Sequence, residues 1–91
     1  MTIHALGVVG TGVNGRSIAQ LMATKGFEVT MVGRTPEDLE GARQAIDGAL
    51  QHEIDRWALT ESEKRVIAAR IRYTTDITEL VKADFVLVTW V

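Results

Sequence analysis

Three largely apolar runs divide the chain into segments of different character. They span residues 2–9, 27–32 and 85–91. Such runs are typical of parallel strands, because helices cover both faces of a parallel sheet and leave the strands no polar side. Between the first two runs, apolar residues recur at helical spacing and predict a helix over residues 13–25, with Gly26 as its left-handed cap. The core positions of this helix are Ile18, Ala19, Leu21, Met22 and Ala23.

The middle of the chain has helical periodicity throughout. Thr35 and Pro36 predict a helix start, because a threonine hydroxyl caps free N–H groups and proline fits the first helical position. This helix is expected to run about six turns. Its apolar positions are Leu39, Ala42, Ile46, Ala49, Leu50, Ile54 and Trp57, and we expect Trp57 to lie in the core. A capping box at Thr60 and Glu63 predicts a shorter second helix that folds back on the first. Its apolar positions are Val66, Ile67 and Ile71.

Three glycines mark the junction between the first strand and the first helix. Gly10, Gly12 and Gly15 form the pattern G-x-G-x-x-G. In a phosphate-binding turn these glycines serve the tight turn, the close approach of the backbone to a pyrophosphate, and close helix–strand packing. The alternative is a tight strand-to-helix turn that binds nothing. We predict dinucleotide binding by Gly10, Thr11, Gly12, Val13, Asn14 and Gly15.

The remaining elements complete the predicted topology. Residues 72–75 form a short third strand, residues 76–82 a helical turn, and residues 85–91 the fourth strand. Right-handed crossovers place the strands in the order 3-2-1-4. The predicted fold class is therefore α/β, the first half of a Rossmann-like doubly wound parallel sheet, with a long helical hairpin between strands 2 and 3. All of residues 1–91 belong to this one domain.

Composition narrows the possible partners. The 91 residues carry a net charge of −2, with scattered basic residues, so we expect no nucleic-acid or membrane partner. The chain has no cysteine and no cluster of metal ligands, and we predict no metal site. We see no signal peptide and no apolar run of membrane-spanning length, and we expect a cytoplasmic protein.

A family resemblance rests on three features of the chain. These are the glycine pattern, the helical hairpin over residues 36–71, and the strands at residues 72–75 and 85–91. The chain resembles the N-terminal NAD-binding domain of 3-hydroxyacyl-CoA dehydrogenases over its full length. The resemblance implies a nicotinamide cofactor, an acyl-CoA substrate and a His–Glu catalytic pair that lies in later parts of the enzyme. We therefore assign no catalytic residue to this chain. We expect that it is truncated before the later strands and the C-terminal helical domain, and that its open strand edge favours homo-oligomers.

Cofactor choice depends on the end of the second strand. An acidic residue normally stands there and binds the ribose 2′-OH, but this chain has Gly33. Without that carboxylate, Arg34 and Thr35 favour a 2′-phosphate and hence NADP, although the resemblance implies NAD. The alternative is that Arg34 is solvated, Thr35 only caps the helix, and Glu37 or Asp38 reaches the ribose.

Other candidate side chains have simpler explanations. Trp90 follows the fourth strand and is a candidate for the wall of the cofactor cleft, although burial under another element also explains it. His4 and His52 have no acidic or thiol partner in the sequence pattern, so we expect no catalytic role for them. Three functions remain open: the cofactor part of a dehydrogenase, a stand-alone dinucleotide-binding or sensing module, and a structural fragment that has lost its ligand.

Overall fold

One four-stranded parallel sheet organises the molecule, and the computed structural model describes residues 4–89 of it. The elements are β1 (Ala5–Val9), α1 (Val13–Thr24), β2 (Glu28–Val32), α2 (Pro36–Asp55), α3 (Glu61–Ala69), β3 (Ile71–Thr74), a 3-10 helix (Ile77–Lys82) and β4 (Phe85–Val88). The strand order is β3-β2-β1-β4, and every pairing is parallel. The predicted α/β class and strand order are confirmed. The outer ends of the first and last predicted strands lie outside the described residues.

The two faces of the sheet are covered by different elements. Val8 and Met31 are fully buried and belong to the main core, together with residues of α1, α2 and α3. Gly7 precedes Val8 and so faces the opposite side. There, Leu80 of the 3-10 helix lies 2.6 Å from where a Cβ of residue 7 would stand. The three longer helices therefore cover one face, and the 3-10 helix covers the other.

The first helix ends in a hydrogen-bonded glycine motif. The N–H of Gly26 donates to the carbonyl of Ala23, and the N–H of Phe27 donates to the carbonyl of Met22, both at 3.1 Å. Gly26 has a φ of 104°, which glycine adopts without the steric cost that other residues carry. This arrangement is a Schellman motif, and it turns the chain directly into β2.

Both helices between β2 and β3 begin with a side-chain cap. Thr35 Oγ1 accepts a hydrogen bond from the N–H of Asp38 at 3.1 Å, and Thr60 and Glu63 form the reciprocal capping box. Lys64 of α3 lies 3.1 Å from the carboxylate of Asp47 in α2. The ion pair of Lys64 with Asp47 places the first turn of α3 against the middle of α2.

Two predictions about this segment were wrong. Trp57 lies beyond the end of α2 with a φ of 66°, and 95% of it is exposed, so it is not a core residue. Ile71 opens β3 instead of continuing α3, although it is buried as expected. Helical spacing and burial cannot by themselves separate the last turn of a helix from the first residue of a strand.

Candidate dinucleotide-binding site

The candidate residues meet at the carboxyl edge of the sheet. Val9, Val32 and Val88 are paired across β1, β2 and β4, so the residues that follow them lie at the same level. β1 lies between β2 and β4, and this is the point at which the strand order reverses. In open parallel sheets, ligands bind at such a point outside the carboxyl ends of the strands.

The turn from Gly10 to Gly15 has a separate steric reason at each glycine. Gly10 has a φ of 128°, and its N–H donates to the carbonyl of Val32 at 2.9 Å. A Cβ at Gly15 would overlap the carbonyl oxygen of Gly10 and come within 3.1 Å of its carbonyl carbon. At Gly12, in contrast, a Cβ would meet nothing within 4 Å. The turn is therefore tight at its two ends and open in its middle.

The start of α1 presents unbonded donors next to that open space. Gly12 is the N-cap, it makes no side-chain cap hydrogen bond, and the first turn of the helix contains no acid. The N–H of Arg16 is the first that bonds to the turn, and it donates to the carbonyl of Gly12 at 2.9 Å. The N–H groups of Val13, Asn14 and Gly15 precede it and have no acceptor within the helix. Such a helix start, with its partial positive charge, binds anions.

Gly33 lies next to the glycine turn, at the end of β2, and forms one corner of the site. It is buried, and its N–H donates to the carbonyl of Thr74 at 3.0 Å. A Cβ there would lie 2.8 Å from both Thr11 Cγ2 and Leu39 Cδ2. Thr11 therefore joins this corner to the glycine turn. Sequence reasoning did not place Leu39 at the site, because its helical spacing indicates only a core residue.

Arg34 and Thr35 follow this corner and are exposed. Thr35 caps α2, as the alternative interpretation of this residue requires, and its hydroxyl oxygen accepts from the N–H of Asp38. Glu37 and Asp38 are exposed in the first turn of α2. The structure thus brings every residue of the 2′-phosphate prediction and of its alternative to the same corner.

Thr89 lies on the other side of the glycine turn, at the end of β4, and forms a wall of the site. Its N–H and its hydroxyl both donate to the carbonyl of Val9, at 2.8 and 3.0 Å. Its Oγ1 would lie 3.1 Å from a Cβ at Gly15. Sequence reasoning missed Thr89, although it is the one polar residue in the apolar run over residues 85–91 and thus a signal for this edge. Trp90, the predicted wall residue, lies outside the described residues.

Three arginines of the helical segments form hydrogen bonds or ion pairs with other groups of the protein. Arg43 pairs with Glu40, Arg56 lies 3.7 Å from Glu53, and the guanidinium of Arg70 donates to the carbonyl of Ala23 at 2.7 Å. The Arg43 guanidinium lowers the pKa of Glu40 through its hydrogen bonds. These interactions keep the three arginine side chains in contact with the helices of the protein.

The histidine near the amino terminus is remote from the candidate site. His4 precedes β1, and its backbone N–H donates to the carboxylate of Asp84 at 2.9 Å. This contact lies at the amino edge of the sheet, opposite the glycine turn.

Residues 4–89 contain no group of three or more acidic, histidine or cysteine side chains placed to hold a metal ion. Over the same residues, none of the helices combines the length and apolar character needed to cross a bilayer.

Comparisons with known proteins give a consistent assignment. Residues 5–88 match the family model described as 3-hydroxyacyl-CoA dehydrogenase, NAD binding domain. The chain is 32% identical over 81 residues to a probable 3-hydroxybutyryl-CoA dehydrogenase of Deinococcus radiodurans, covering 89% of this chain and 29% of that protein. It is 29% identical over 87 residues to a 3-hydroxybutyryl-CoA dehydrogenase of Bradyrhizobium diazoefficiens, covering 96% of this chain and 30% of the relative.

Solved structures show the same similarity. The chain matches the (S)-3-hydroxybutyryl-CoA dehydrogenase of Ralstonia eutropha with a TM-score of 0.96 and 30% identity, over 99% of this chain and 32% of that one. It matches the 3-hydroxybutyryl-CoA dehydrogenase of Escherichia coli with a TM-score of 0.93 and 28% identity, over 97% of this chain and 19% of that one. The chain thus spans less than a third of the length of these relatives.

Proposed function

The chain belongs to the family of the 3-hydroxyacyl-CoA dehydrogenase NAD-binding domain, and on this premise we propose that its Gly10–Gly15 turn binds the diphosphate of a nicotinamide dinucleotide. One observation carries the proposal: the open space beside Gly12 adjoins a helix start that has no side-chain cap. A diphosphate in that space would accept hydrogen bonds from the free N–H groups and be stabilised by the helix dipole.

We assign the two ends of the cofactor to the two strands that flank β1, which are β2 and β4. The corner formed by Gly33, Arg34 and Thr35 binds the adenosine ribose, because the end of the second strand is where this fold contacts that sugar. The nicotinamide half is then directed toward the end of β4, on the side of Thr89.

At the level of the whole enzyme, we propose a role in hydride transfer between the nicotinamide and C3 of a 3-hydroxyacyl-CoA. When bound, the nicotinamide would supply hydride-transfer chemistry: in the oxidative direction, C3 of the substrate would give a hydride to the oxidised nicotinamide and the hydroxyl would give its proton to a base, leaving a 3-oxoacyl-CoA and the reduced cofactor. The residues of this chain bind and orient the cofactor. The proton transfer is assigned to no residue of this chain.

Within this function, we propose that the ribose corner accepts a 2′-phosphate and that the cofactor is NADP. The support is chemical. Gly33 carries no carboxylate to repel a phosphate, and the adjacent Arg34 supplies a planar cation that hydrogen-bonds phosphate oxygens.

We also propose that the isolated chain self-associates through β4. One edge of β4 pairs with β1, and its other edge has no strand partner among residues 4–89. Phe85, Val86 and Val88 are 51%, 41% and 67% exposed. An apolar strand edge of this kind favours pairing with another chain. Sedimentation as a monomer at all concentrations would contradict this.

The test of dinucleotide binding compares Gly12→Val with Gly41→Val by calorimetric titration of NADH and NADPH. A Cβ meets nothing within 4 Å at either glycine, so both variants should remain folded. The wild-type chain and Gly41→Val are expected to bind the cofactor. Gly12→Val should lose affinity by roughly tenfold or more, because its side chain fills the diphosphate space. No binding by the wild type, or unchanged binding by Gly12→Val, would refute the proposal.

A further inference from the structure

The peptide group between Val9 and Gly10 is held from both sides of β1. The N–H of Gly10 donates to the carbonyl of Val32 at the end of β2, at 2.9 Å. The carbonyl of Val9 accepts from the N–H of Thr89 at the end of β4, at 2.8 Å. It also accepts from the hydroxyl of Thr89 at 3.0 Å, a hydrogen bond that sheet pairing does not require. Both lone pairs of this carbonyl are therefore in use.

The Thr89 hydroxyl also lies beside the start of α1. Its oxygen would be 3.1 Å from a Cβ at Gly15, the last glycine of the turn. Gly15 is buried and Thr89 is half-buried, so this side chain is packed between the sheet and the helix. One hydroxyl group therefore lies against both ends of the glycine turn, at Val9 before it and at Gly15 where it ends.

The course of the turn depends on the peptide group that Thr89 holds. Gly10 has a φ of 128°, a conformation open to glycine because it has no Cβ. The same lack of a side chain leaves packing at Gly10 unable to restrict its rotation, so hydrogen bonds to the adjoining peptide group must do so. Fixing this group fixes the direction in which the turn leaves β1. It thereby fixes the places of the free N–H groups of Val13 and Asn14.

We propose that Thr89 is a positioning residue for the diphosphate: its hydroxyl holds the Val9–Gly10 peptide group and so keeps the free N–H groups of α1 in the arrangement that the ligand needs. The proposal rests on the proposed dinucleotide-binding function. In this role Thr89 acts through the turn, because its hydroxyl proton is donated to the Val9 carbonyl. A turn held in its binding conformation loses less freedom when the ligand binds, and its affinity is correspondingly higher.

The binding test compares Thr89→Val, which removes the hydroxyl and keeps the branched shape, with Thr89→Ser, which keeps the hydroxyl. The ligands are NADH and ADP-ribose, which carries the same diphosphate without the nicotinamide, and both are titrated by calorimetry. Thr89→Val should weaken the two ligands by the same factor, roughly three- to tenfold, and Thr89→Ser should bind them as the wild type does. Thr24→Val is the matched control. It removes a hydroxyl that donates to the carbonyl of Gln20 at 2.8 Å, at the far end of α1, and should change neither affinity.

Three results would contradict the positioning role in different ways. A loss of NADH affinity alone, with unchanged ADP-ribose affinity, would show that the hydroxyl meets the nicotinamide half directly and would overturn the proposal. Unchanged binding of both ligands by Thr89→Val would overturn it while leaving the proposed function intact. If the wild-type chain binds neither ligand, the proposed function fails and this role fails with it.

Amide hydrogen exchange measures the positioning without a ligand. In Thr89→Val the N–H of Gly10 should exchange roughly three- to tenfold faster than in the wild type, because its peptide group has lost one hydrogen bond. The reference is the N–H of Gly33, which donates to the carbonyl of Thr74 at 3.0 Å and should exchange at an unchanged rate. Equal acceleration at Gly10 and Gly33 would show a general loss of stability and would overturn the proposal.

Discussion

Gly26 and Trp57 occupy the same position of the same helix-terminating motif. After α2, the N–H of Trp57 donates to the carbonyl of Ile54 and the N–H of Ala58 donates to the carbonyl of Glu53, both at 2.9 Å. This repeats the Schellman pattern that ends α1 at Gly26. Both residues have positive φ, 104° at Gly26 and 66° at Trp57. The second motif therefore holds a tryptophan where glycine is favoured.

Replacing Trp57 by glycine is expected to stabilise the chain. The tryptophan is 95% exposed, so its side chain contributes little packing, while its backbone conformation carries a cost of roughly 1 kcal/mol. The free energy of unfolding from urea titration should rise by about that amount. Gly26→Ala is the converse variant and should lower it by a similar amount. A Trp57→Gly protein that unfolds at lower urea than the wild type would show that the indole makes a stabilising contact.

Gly15→Ala is expected to destabilise the fold because the new Cβ would overlap the Gly10 carbonyl oxygen. Overpacking of this kind typically costs about 1 to 3 kcal/mol. Gly41→Ala, in an open part of α2, should instead stabilise the protein by roughly 0.5 to 1 kcal/mol, because alanine is the better helix former. Urea unfolding of both variants measures the contrast. Equal midpoints would show that α1 can move away from β1 at no cost.

Acid is expected to weaken the amino edge of the sheet through Asp84. Its carboxylate accepts from the N–H groups of His4 and Ala5 at 2.9 and 3.0 Å, and these hydrogen bonds lower its pKa. A lowered folded-state pKa contributes stability that is present above the unfolded value, about 3.9, and is lost as the pH falls through the folded value. The melting temperature of Asp84→Asn should therefore lie below that of the wild type near neutral pH, and the difference should shrink on acidification.

The control for this pH dependence is Asp55→Asn. Asp55 accepts a hydrogen bond from the side-chain amide of Gln51 at 3.3 Å, within one helix, and joins no two elements. Near neutral pH its replacement should lower the melting temperature by less than Asp84→Asn does. If Asp84→Asn and the wild type differ by a constant amount down to about pH 2, the carboxylate charge is not the stabilising feature.

Arg34→Gln is expected to affect the affinity for NADPH and the affinity for NADH differently. If Arg34 meets a 2′-phosphate, its removal should weaken NADPH binding by about ten- to a hundredfold and leave NADH binding nearly unchanged. Arg16→Gln, in the first turn of α1, should change both affinities by the same factor, because the diphosphate is common to the two cofactors. Calorimetry with each nucleotide measures both variants. An equal loss of the two affinities in Arg34→Gln would contradict the 2′-phosphate assignment.

Local rules predicted most of the fold, and they were wrong where two elements share one pattern. The caps at Thr35 and Thr60 and the strand order follow from sequence signals, and the structure confirms them. Trp57 extended a helical stripe without a glycine to mark the end of α2, so its exposure was missed. Ile71 fits either the end of α3 or the start of β3, and only pairing with Val29 of β2 decides between them.

The sequence by itself determined the α/β class, the helix starts and the G-x-G-x-x-G turn, because apolar runs, capping residues and glycine spacing act within a few neighbouring residues. Tertiary structure alone decided that Thr11 and Leu39 converge on Gly33 and that Thr89 closes the far wall of the turn. Thr11 and Gly33 are distant in the chain, as are Thr89 and Val9, and Leu39 lies on a helix whereas Gly33 ends a strand. The distances between these residues depend on how closely the helices approach the sheet. No pattern within a few neighbouring residues specifies the distance between a helix and the sheet.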